Sequence, residues 1–590
     1  MSVFIGYPSF MAYQMMKGKK GNNDGFPSIT GMIARYSASG LTNEQMATNP
    51  VWVDKTGNGH DLQMKNFAWK GMSGVNGYVQ NFNDFRNNAT VDKVRIDEQS
   101  SNSVKVTILA TGINNVIYIP KDVYQFNKSY FIKISSEGYN EGDLFLSFYA
   151  PSTSTATTVK VPLNPNGITE IPAIKEDDFL AVYLFNAAGK VGSITIEQLP
   201  LYPGALVFDG VDDYGVCDNF PILTKEKGYT VVALRQWIEE KNSITALASN
   251  SKNWDQDGAF IFEYNNLENN YPNIELSFGS INIFDRGLSP YSYQTSKSYN
   301  GNLIESGSFL GSDKLVVAKA NENLSPNSNI AIWELVFLDH DATEEELTKI
   351  KDYFVKTYPW LFPDQAWTVV GKTNEDEDRA TIANITGNGN DLVLSIFGFT
   401  EGSGYNEEGE YAGYLVTDGV DDKIESKQPF QLPIKFSMIG SWVFIKKEDK
   451  RAGISKENNL IVYDKITGLT LFLNSVESYE EIDTDSFHAI SSDGKLYDEN
   501  WNMLPITVGS LLSDSSTLKI AYDGNNFVQF AFNCMGFYDK ILKKDDLLKG
   551  WIYLKGLKAQ RIPPSKNYIL KEDGGYVLQE DGNKILTEQQ

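Results

Sequence analysis

Cysteine and histidine are nearly missing from this sequence, which has two cysteines and three histidines in 590 residues. Cys217 and Cys534 are too few for a disulfide framework or a multi-thiolate zinc site. His60, His340 and His488 stand apart, without a nucleophile elbow or a zinc-binding helix pattern. The sequence therefore predicts structural histidines, no cofactor, no metal centre and no hydrolysis by a serine or cysteine nucleophile.

Positive charge is scarce and long apolar runs are missing. Lys and Arg number 52 against 76 Asp and Glu, so the net charge is −24 and the pI is near 4.7. Such a chain repels phosphate groups, which argues against nucleic-acid partners. No segment offers the roughly 18 to 20 apolar residues that cross a bilayer, so we expect no membrane insertion. The first residues lack a charged lead and a cleavage pattern, which predicts folding in a cytoplasm.

A duplication organises the rest of the sequence. ALVFDGVDD at 205–213 returns as YLVTDGVDD at 414–422, and TGNG at 56–59 returns at 386–389. These motifs predict strands that enter glycine turns. Each copy ends on a strand and a short helix, and in the first copy Thr343 and Glu346 have capping-box spacing. The chain therefore contains two related β domains in tandem.

The first copy also holds a long segment that the second copy lacks. Seven strand-like stretches fill it: VKVTILA, NVIYIP, SYFIKIS, DLFLSFYA, TTVKVPL, FLAVYLF and SITIEQL. Short strands separated by turn residues predict an inserted antiparallel β-sandwich. The predicted division is an attachment segment at 1–30, a first domain at 31–80 with 201–362, the insert at 81–200, a second domain at 363–560 and a C-terminal β-meander at 561–590.

Both terminal segments suggest self-association. Residues 1–30 begin with an apolar, methionine-rich stretch, and a meander as short as 561–590 is marginal alone. The sequence therefore predicts a homo-oligomer, which light scattering tests.

Asp212 and Asp213, just past the first duplicated turn, have two interpretations. One is a solvated pair of carboxylates. The other is a pair of calcium ligands, because hard carboxylate oxygens suit that ion. Nothing in the neighbouring sequence completes a coordination set, so the sequence favours the solvated pair.

The turns and the closing segment together resemble a known fold. The TGNG(H/N)DL turn, the (F/T)DGVDD hairpin and the closing ELVFLDH-ATEEEL strand and helix look like the concanavalin-A-like, laminin-G-like jelly roll. The resemblance covers both copies. It implies an all-β chain of two tandem concanavalin-A-like jelly-roll sandwiches, the first carrying the inserted β-sandwich, with short terminal segments. Lectins, glycanases and structural modules all use this fold.

A second resemblance concerns the setting of the protein. SGLTNEQM, DKTGNGHDLQMKNFAWKGMSG and LKEDGGYVLQEDG look like parts of virion proteins of tailed bacteriophages of gut anaerobes, especially the crAss-like group. The resemblance implies a fibre, tail or capsid-decorating component that is assembled in the host cytoplasm. Its final location would be the virion, with other virion proteins as partners.

One candidate catalytic segment follows from the carboxylates. Glu481, Asp483 and Asp485 would alternate on one face of a strand, and paired carboxylates perform glycoside hydrolysis. The segment looks like the E-x-D-x-E strand of laminarinase-type glycanases. It departs from that pattern at Asp485, whose side chain is one carbon shorter than glutamate.

A candidate binding loop follows from the aromatic residues. With 31 Tyr, 33 Phe and 10 Trp, we expect some rings to face solvent, where they stack on sugar faces. The loop comprises Asn253, Trp254, Asp255, Gln256 and Asp257. The alternative is that Trp254 covers a sheet edge.

Taken together, these features favour binding over catalysis. The sequence predicts a non-enzymatic structural protein of the virion that contacts host-surface polysaccharide. Two alternatives stay open: a polysaccharide depolymerase that uses the carboxylate segment, and a decoration protein without a ligand.

Overall fold

The chain folds into β-sheets, with three α-helices among the described residues. The computed structural model describes residues 24–151, 157–223, 228–239, 245–250, 261–265, 281–283, 289–296, 312–319, 327–445, 451–456, 459–464, 468–473, 476–478, 487–498, 500–505, 513–522, 524, 526–559, 568–570 and 576–578. The sheets are largely antiparallel and form sandwich-like domains, as the sequence predicts. The chain divides into two compact units, Met1–Phe362 with Asn500–Asn502 and Pro363–Glu499 with Met503–Gln590.

The first copy starts with four strands and one helix. The strands are β1 (Met32–Ser37), β2 (Val51–Trp52), β3 (Leu62–Lys65) and β4 (Gly74–Val75). Helix α1 (Asn43–Thr48) begins where the Thr42 side chain accepts a hydrogen bond from the Gln45 amide. Such N-caps satisfy amides that have no partner inside the helix.

The insert follows and has its own core. Its strands are β5 (Arg86–Asn87), β6 (Val94–Gln99), β7 (Ser103–Ile108), β8 (Asn115–Pro120), β9 (Tyr130–Ser136), β10 (Leu144–Tyr149), β11 (Val159–Pro162), β12 (Ile168–Ile171), β13 (Ala181–Asn186) and β14 (Gly192–Gln198). They form two five-stranded sheets, β11-β10-β13-β8-β5 and β12-β9-β14-β7-β6. All seven stretches predicted as strands are strands, and β5, β6 and β12 add to them. Apolar residues from both sheets, among them Ile117, Ile132, Phe148 and Ile194, fill the space between them.

The first copy then resumes and closes. Its remaining strands are β15 (Leu206–Asp209), β16 (Tyr214–Cys217), β17 (Thr230–Glu239), β18 (Thr245–Ser249), β19 (Ile261–Asn265), β20 (Ile281–Ile283), β21 (Tyr291–Thr295), β22 (Leu315–Val317) and β23 (Asn329–Leu338). One sheet has the order β21-β17-β23-β15-β4, with β1 also on β23, and the other has the order β2-β3-β16-β22-β18-β19-β20. Helix α2 (Glu344–Thr357) has the predicted capping box between Thr343 and Glu346.

The second unit repeats this plan without the insert. Its strands are β24 (Gln365–Thr368), β25 (Thr381–Ile382), β26 (Leu392–Ser395), β27 (Gly404–Asn406), β28 (Tyr414–Val416), β29 (Lys423–Ser426), β30 (Ser437–Phe444), β31 (Arg451–Lys456), β32 (Asn459–Asp464), β33 (Gly468–Leu473), β34 (Val476–Ser478), β35 (Phe487–Ser491), β36 (Lys495–Asp498), β37 (Met503–Pro505), β38 (Lys519–Ile520) and β39 (Phe530–Tyr538). The sheets are β27-β28-β39-β30-β35-β36-β37, with β24 on β39, and β25-β26-β29-β38-β31-β32-β33-β34. Helix α3 (Lys544–Gly556) closes the copy.

Two further elements complete the description. Of the predicted C-terminal meander, the described residues contain the two-stranded hairpin β40 (Tyr568–Leu570) and β41 (Tyr576–Leu578). Short 3₁₀ helices lie at Phe82–Asp84, Lys121–Val123 and Pro359–Leu361. No helix in the described ranges combines the length and apolar character that a bilayer crossing needs.

Matching hydrogen bonds show that the two copies share more than their strand order. Asn43 Oδ1 accepts from the Val75 amide at 2.7 Å, and Asn374 Oδ1 accepts from the Tyr405 amide at 2.8 Å. Both asparagines also donate to the carbonyl of the same residue. Each copy therefore ties the segment after its first strand to the second strand beyond the TGNG turn, which is β4 in the first copy and β27 in the second.

One buried ion pair distinguishes the first copy. Glu334 is fully buried and accepts from Arg35 Nε at 3.1 Å and from the hydroxyls of Ser37 and Tyr358 at 2.7 and 2.8 Å. Asp24 also accepts from Arg35, at 2.7 Å, although the sequence assigned Asp24 to the terminal attachment segment. Asp24 therefore contacts the first β domain.

The second copy replaces that ion pair with apolar residues. In the first copy Ser37 pairs with Glu334 and Arg35 pairs with Val336. At the equivalent positions Thr368 pairs with Cys534 and Ala366 pairs with Gly536. The same strand position is thus charged in one copy and apolar in the other.

Candidate functional site

A row of side chains crosses the outward face of one sheet of the insert. The sheet has the order β11-β10-β13-β8-β5. The register places Lys160 opposite Ser147, Ser147 opposite Tyr183, Tyr183 opposite Tyr118, and Tyr118 opposite Arg86. Because directly paired residues point to the same face, these five side chains form one row across five strands.

Three more rings extend this row into a surface. Phe145 lies opposite Phe185 on the neighbouring strand, with ring centroids 6.5 Å apart. The Tyr183 ring centroid lies 5.6 Å from that of Tyr118 and 5.9 Å from that of Tyr149. Such separations are typical of interacting aromatic pairs. We call these five residues, Tyr118, Phe145, Tyr149, Tyr183 and Phe185, the aromatic face.

Two-residue alternation explains why the rings point outward. Leu144, Leu146 and Phe148 of β10 are buried in the core of the insert, and the residues between them lie on the opposite side of the strand. In β13, Val182 and Leu184 are buried in the same core. Strand geometry therefore forces the alternate positions of both strands away from the core.

The aromatic face is accessible to a ligand. Tyr149 is 40% exposed. The other four rings are half-buried, because each leans on its neighbours and still presents part of its surface. The rings belong to paired strands, so their positions are fixed by the sheet, as precise binding sites require.

Two cations lie at the edges of this face. Lys160 Nζ lies 4.1 Å from the ring centroid of Phe185 and 6.0 Å from that of Phe145. Arg86 is exposed on the opposite edge strand, beside Tyr118. The ammonium of Lys160 therefore lies over the aromatic face, where the negative faces of the rings attract it.

A groove of about 750 Å³ begins beside the aromatic face. The Leu180 amide donates to the Tyr149 carbonyl, and Ala181 pairs with both Tyr149 and Pro120. Leu180 and the residue after Pro120 line the groove. The full lining comprises Lys121, Asp122, Tyr124, Gln125, Phe126, Asn127, Glu176, Asp178, Phe179 and Leu180.

The groove has a different character from the aromatic face. Asp122, Glu176 and Asp178 are exposed carboxylates. Its one lining cation, Lys121, donates to the Asp177 carbonyl at 2.8 Å and lies 3.7 Å from Glu176. The groove is therefore rich in acceptors and carries net negative charge.

The duplicated turns bring carboxylates together at a second kind of site. Carboxylate oxygens of Asp209, Asp212 and Asp213 lie within 4.8 Å of one another, and those of Asp418, Asp421 and Asp422 do the same. Gly210 has φ of +75°, which confirms the predicted glycine turn. These two triads are the acidic clusters of the described residues that could hold a hard cation.

Hydrogen bonds already occupy the innermost carboxylate of each triad. Asp213 accepts from the Asp209 amide at 3.1 Å and from the Ser73 hydroxyl at 3.0 Å. Asp422 accepts from the Asp418 amide at 2.8 Å and from the Ser403 hydroxyl at 3.0 Å. The prediction of a solvated pair was therefore wrong for Asp213, which is fully buried.

Burial makes these two carboxylates weak acids. It raises the pKa of Asp213 to about 7, with the charge of Asp209 adding to the shift. Burial likewise raises the pKa of Asp422 to about 6. Both effects have the same cause, since a charged carboxylate is poorly solvated inside the protein and near like charges.

The histidines have structural surroundings. His60 Nδ1 lies 3.0 Å from the Asn219 carbonyl, and the His488 ring lies 4.3 Å from that of Trp551. Burial lowers the pKa of His340, but hydrogen bonds to Asp339 and Glu346 outweigh this and raise it overall. Each of the three has contacts that suit a structural role.

Both glycan sites proposed from the sequence fall outside the described residues. This applies to the binding loop of Asn253, Trp254, Asp255 and Asp257 and to the carboxylate segment of Glu481, Asp483 and Asp485. Both remain predictions. The aromatic face was not predicted from the sequence, although LFLSFY and AVYLFN place aromatic residues at alternate positions of two predicted strands.

Comparisons with known proteins yield only distant structural likenesses. No family model matches the chain, and no curated protein matches it. A mutant of Trypanosoma rangeli sialidase displaying trans-sialidase activity has a TM-score of 0.24 at 8% identity, covering 39% of this chain and 42% of its own. Trypanosoma rangeli sialidase itself has a TM-score of 0.24 at 9% identity, covering 76% and 88%. The tandem CBM22 domains of Paenibacillus barcinonensis Xyn10C have a TM-score of 0.14 at 11% identity, covering 48% and 96%. At these TM-scores the likenesses carry no functional argument.

Proposed function

We propose that this chain is a non-enzymatic structural protein of a phage virion whose inserted sandwich binds a glycan of the host surface. The aromatic face carries the binding half of this proposal. The virion half rests on the sequence resemblance of the SGLTNEQM, DKTGNGHDL and LKEDGGYVLQEDG segments. In this role the chain is a fibre, tail or capsid-decorating component, it self-associates, and its protein partners are other virion proteins.

The chemistry of the aromatic face suits sugars. Sugar rings have apolar C–H faces that stack on aromatic rings and hydroxyl edges that need hydrogen-bond partners. The face offers three tyrosine rings in contact and, beside them, a pair of phenylalanine rings. The phenol groups of the three tyrosines supply donors and acceptors. An extended glycan laid on such a surface stacks on several rings at once.

The experiment is retention of host-surface polysaccharide by the purified full chain. Tyr183→Ala removes the central ring, and we expect it to weaken binding about fivefold, since loss of one aromatic contact costs on the order of 1 kcal/mol. Tyr149→Ala, at the exposed end of the face, gives a second test with less risk to the fold. Tyr293→Ala is the matched control, because Tyr293 is an equally exposed strand tyrosine outside the insert.

The same incubation separates the alternatives. Retention of full-length polysaccharide that depends on Tyr183 supports the proposal. Shortened polysaccharide chains that persist in Tyr183→Ala and vanish in Asp483→Asn would instead support a depolymerase. Absence of retention and of cleavage would leave a decoration protein whose partners are proteins alone.

A further inference from the structure

The aromatic face differs in charge from the rest of this acidic chain. The whole chain carries a net charge of −24. The outward positions of β5, β8, β10, β11 and β13, all of them described, include Arg86 and Lys160 and no Asp or Glu. The outward face of these five strands is therefore positively charged, although the chain as a whole is acidic.

The two cations lie at opposite ends of the central row. Four steps between neighbouring strands separate Lys160 on β11 from Arg86 on β5. With strands about 4.8 Å apart, the two backbones are about 19 Å apart. A chain of several sugar rings that stacks along the row therefore reaches both cations.

Lys160 is placed for a ligand on the face. Its ammonium lies 4.1 Å from the Phe185 ring centroid, so its charge is held on the side where a glycan would stack. A carboxylate or sulfate of a glycan next to that ring would meet the ammonium directly. Arg86, with its planar guanidinium, offers paired donors that match the geometry of such anions.

The adjoining groove has the opposite charge. Asp122, Glu176 and Asp178 border it beyond Leu180, and Lys121 is already engaged by Glu176 and the Asp177 carbonyl. A polyanion that reaches Tyr149 therefore meets repulsion if it continues into the groove. This charge pattern favours a path along the row from Lys160 to Arg86.

We propose that the aromatic face selects polyanionic glycans, with Lys160 and Arg86 as clamps for acidic groups near the two ends of the central row. This inference rests on the proposed glycan-binding function and narrows its ligand class. Neutral glycans stack on the same rings but lack partners for the two cations.

The test uses two matched pairs of polymers on the full chain. Polygalacturonate is compared with its methyl ester, and dextran sulfate with dextran, so each pair differs in charge on one backbone. We expect the acidic member of at least one pair to bind at least fivefold more tightly at low salt and to lose this advantage at high salt. The pair that shows the preference tells whether carboxylate or sulfate is the preferred group.

Variants assign the preference to the two cations. Lys160→Gln and Arg86→Gln should each weaken binding of the acidic polymer about two- to fivefold, as expected for exposed ion pairs. The double variant should bind acidic and neutral members equally. Lys133→Gln, an exposed lysine on the other sheet of the insert, is the control and should change nothing.

The outcomes separate this inference from the function on which it rests. Tyr183-dependent retention of neutral polymers or host polysaccharide, without any preference for charge, would overturn the inference and leave glycan binding standing. An acidic preference that survives in the double variant would also overturn it. If the native chain retained none of these polymers and no host polysaccharide, both proposals would fail.

Discussion

At the residue scale, the duplicated Asp triads show that a short motif does not reveal which of its side chains are buried. DGVDD predicts a turn, and both copies have it. Alternation and turn chemistry say nothing about which carboxylate is buried, because that depends on packing against residues outside the motif, such as Ser73 and Ser403. The burial of Asp213 and Asp422 could therefore be found only from the tertiary structure.

Asp213 should make stability depend on pH. Its pKa is about 7 in the folded chain against an ordinary 3.8, so between these values the folded chain holds a proton that the unfolded chain has lost. Stability must then fall as the pH rises from about 4 to about 7, by about 4 kcal/mol for this group. Asp213→Asn removes the titration, and denaturant unfolding at pH 5 and pH 8 should show a smaller loss than in the native chain.

Asp212→Asn provides the control for that measurement. Asp212 is exposed and contributes little to the shift. The native slope should persist in this variant. An unchanged slope in Asp213→Asn would show that the buried carboxylate is already ionised at pH 5.

The ion pair of Arg35 and Glu334 gives a second prediction at this scale. Glu334→Ala leaves a buried guanidinium without its main partner, so we expect a loss of about 3–5 kcal/mol in unfolding free energy. Arg35→Ala combined with Glu334→Cys copies the residues of the second copy and removes both charges. The double variant should be more stable than Glu334→Ala alone in denaturant unfolding. A double variant with a lower unfolding free energy than Glu334→Ala would show that apolar residues at these positions cannot replace the ion pair.

At the element scale, the sequence predicted strands well because alternation is a local signal. The seven stretches of the insert and the closing helices appear where the pattern places them. Strands β5, β6 and β12 were not predicted. For β5 and β12 the reason is length, since two to four residues are too few to show alternation. The aromatic face was not predicted for another reason. Its rings come from three strands whose pairing cannot be read from one sequence.

The two closing helices differ at their N-termini. Thr343 caps α2 with a full capping box, whereas Lys543 at the start of α3 makes no side-chain capping bond within the described residues. Thr343→Ala should therefore destabilise the first copy by about 1 kcal/mol, and Lys543→Asp should stabilise the second by a similar amount. Calorimetry of the full chain measures both. A stabilising effect of Thr343→Ala would contradict the role of the cap.

At the scale of the whole molecule, the tandem all-β organisation followed from the sequence because duplication repeats turn motifs in order. The resemblance to concanavalin-A-like jelly rolls added a fold but left the function open, since that fold serves many functions. The two sites first proposed lie outside the described residues. The site with the clearest geometry lies in the insert, which is the part of the first copy that the second lacks.

Because the aromatic face lies in the insert, we infer different roles for the insert and for the two duplicated domains. The two copies share cores, turns and closing helices, so these features serve the scaffold. The insert, which only the first copy carries, brings five aromatic rings and two cations to one sheet face. We therefore regard the insert as the recognition module and the duplicated sandwiches as its support.

Affinity electrophoresis shows whether this sheet face binds glycan. The native chain, Tyr183→Ala and Tyr293→Ala are run through gels with and without the host-surface polysaccharide. We predict that the polysaccharide retards the native chain and Tyr293→Ala alike and retards Tyr183→Ala clearly less. Equal retardation of all three proteins would place any glycan site elsewhere and contradict the account.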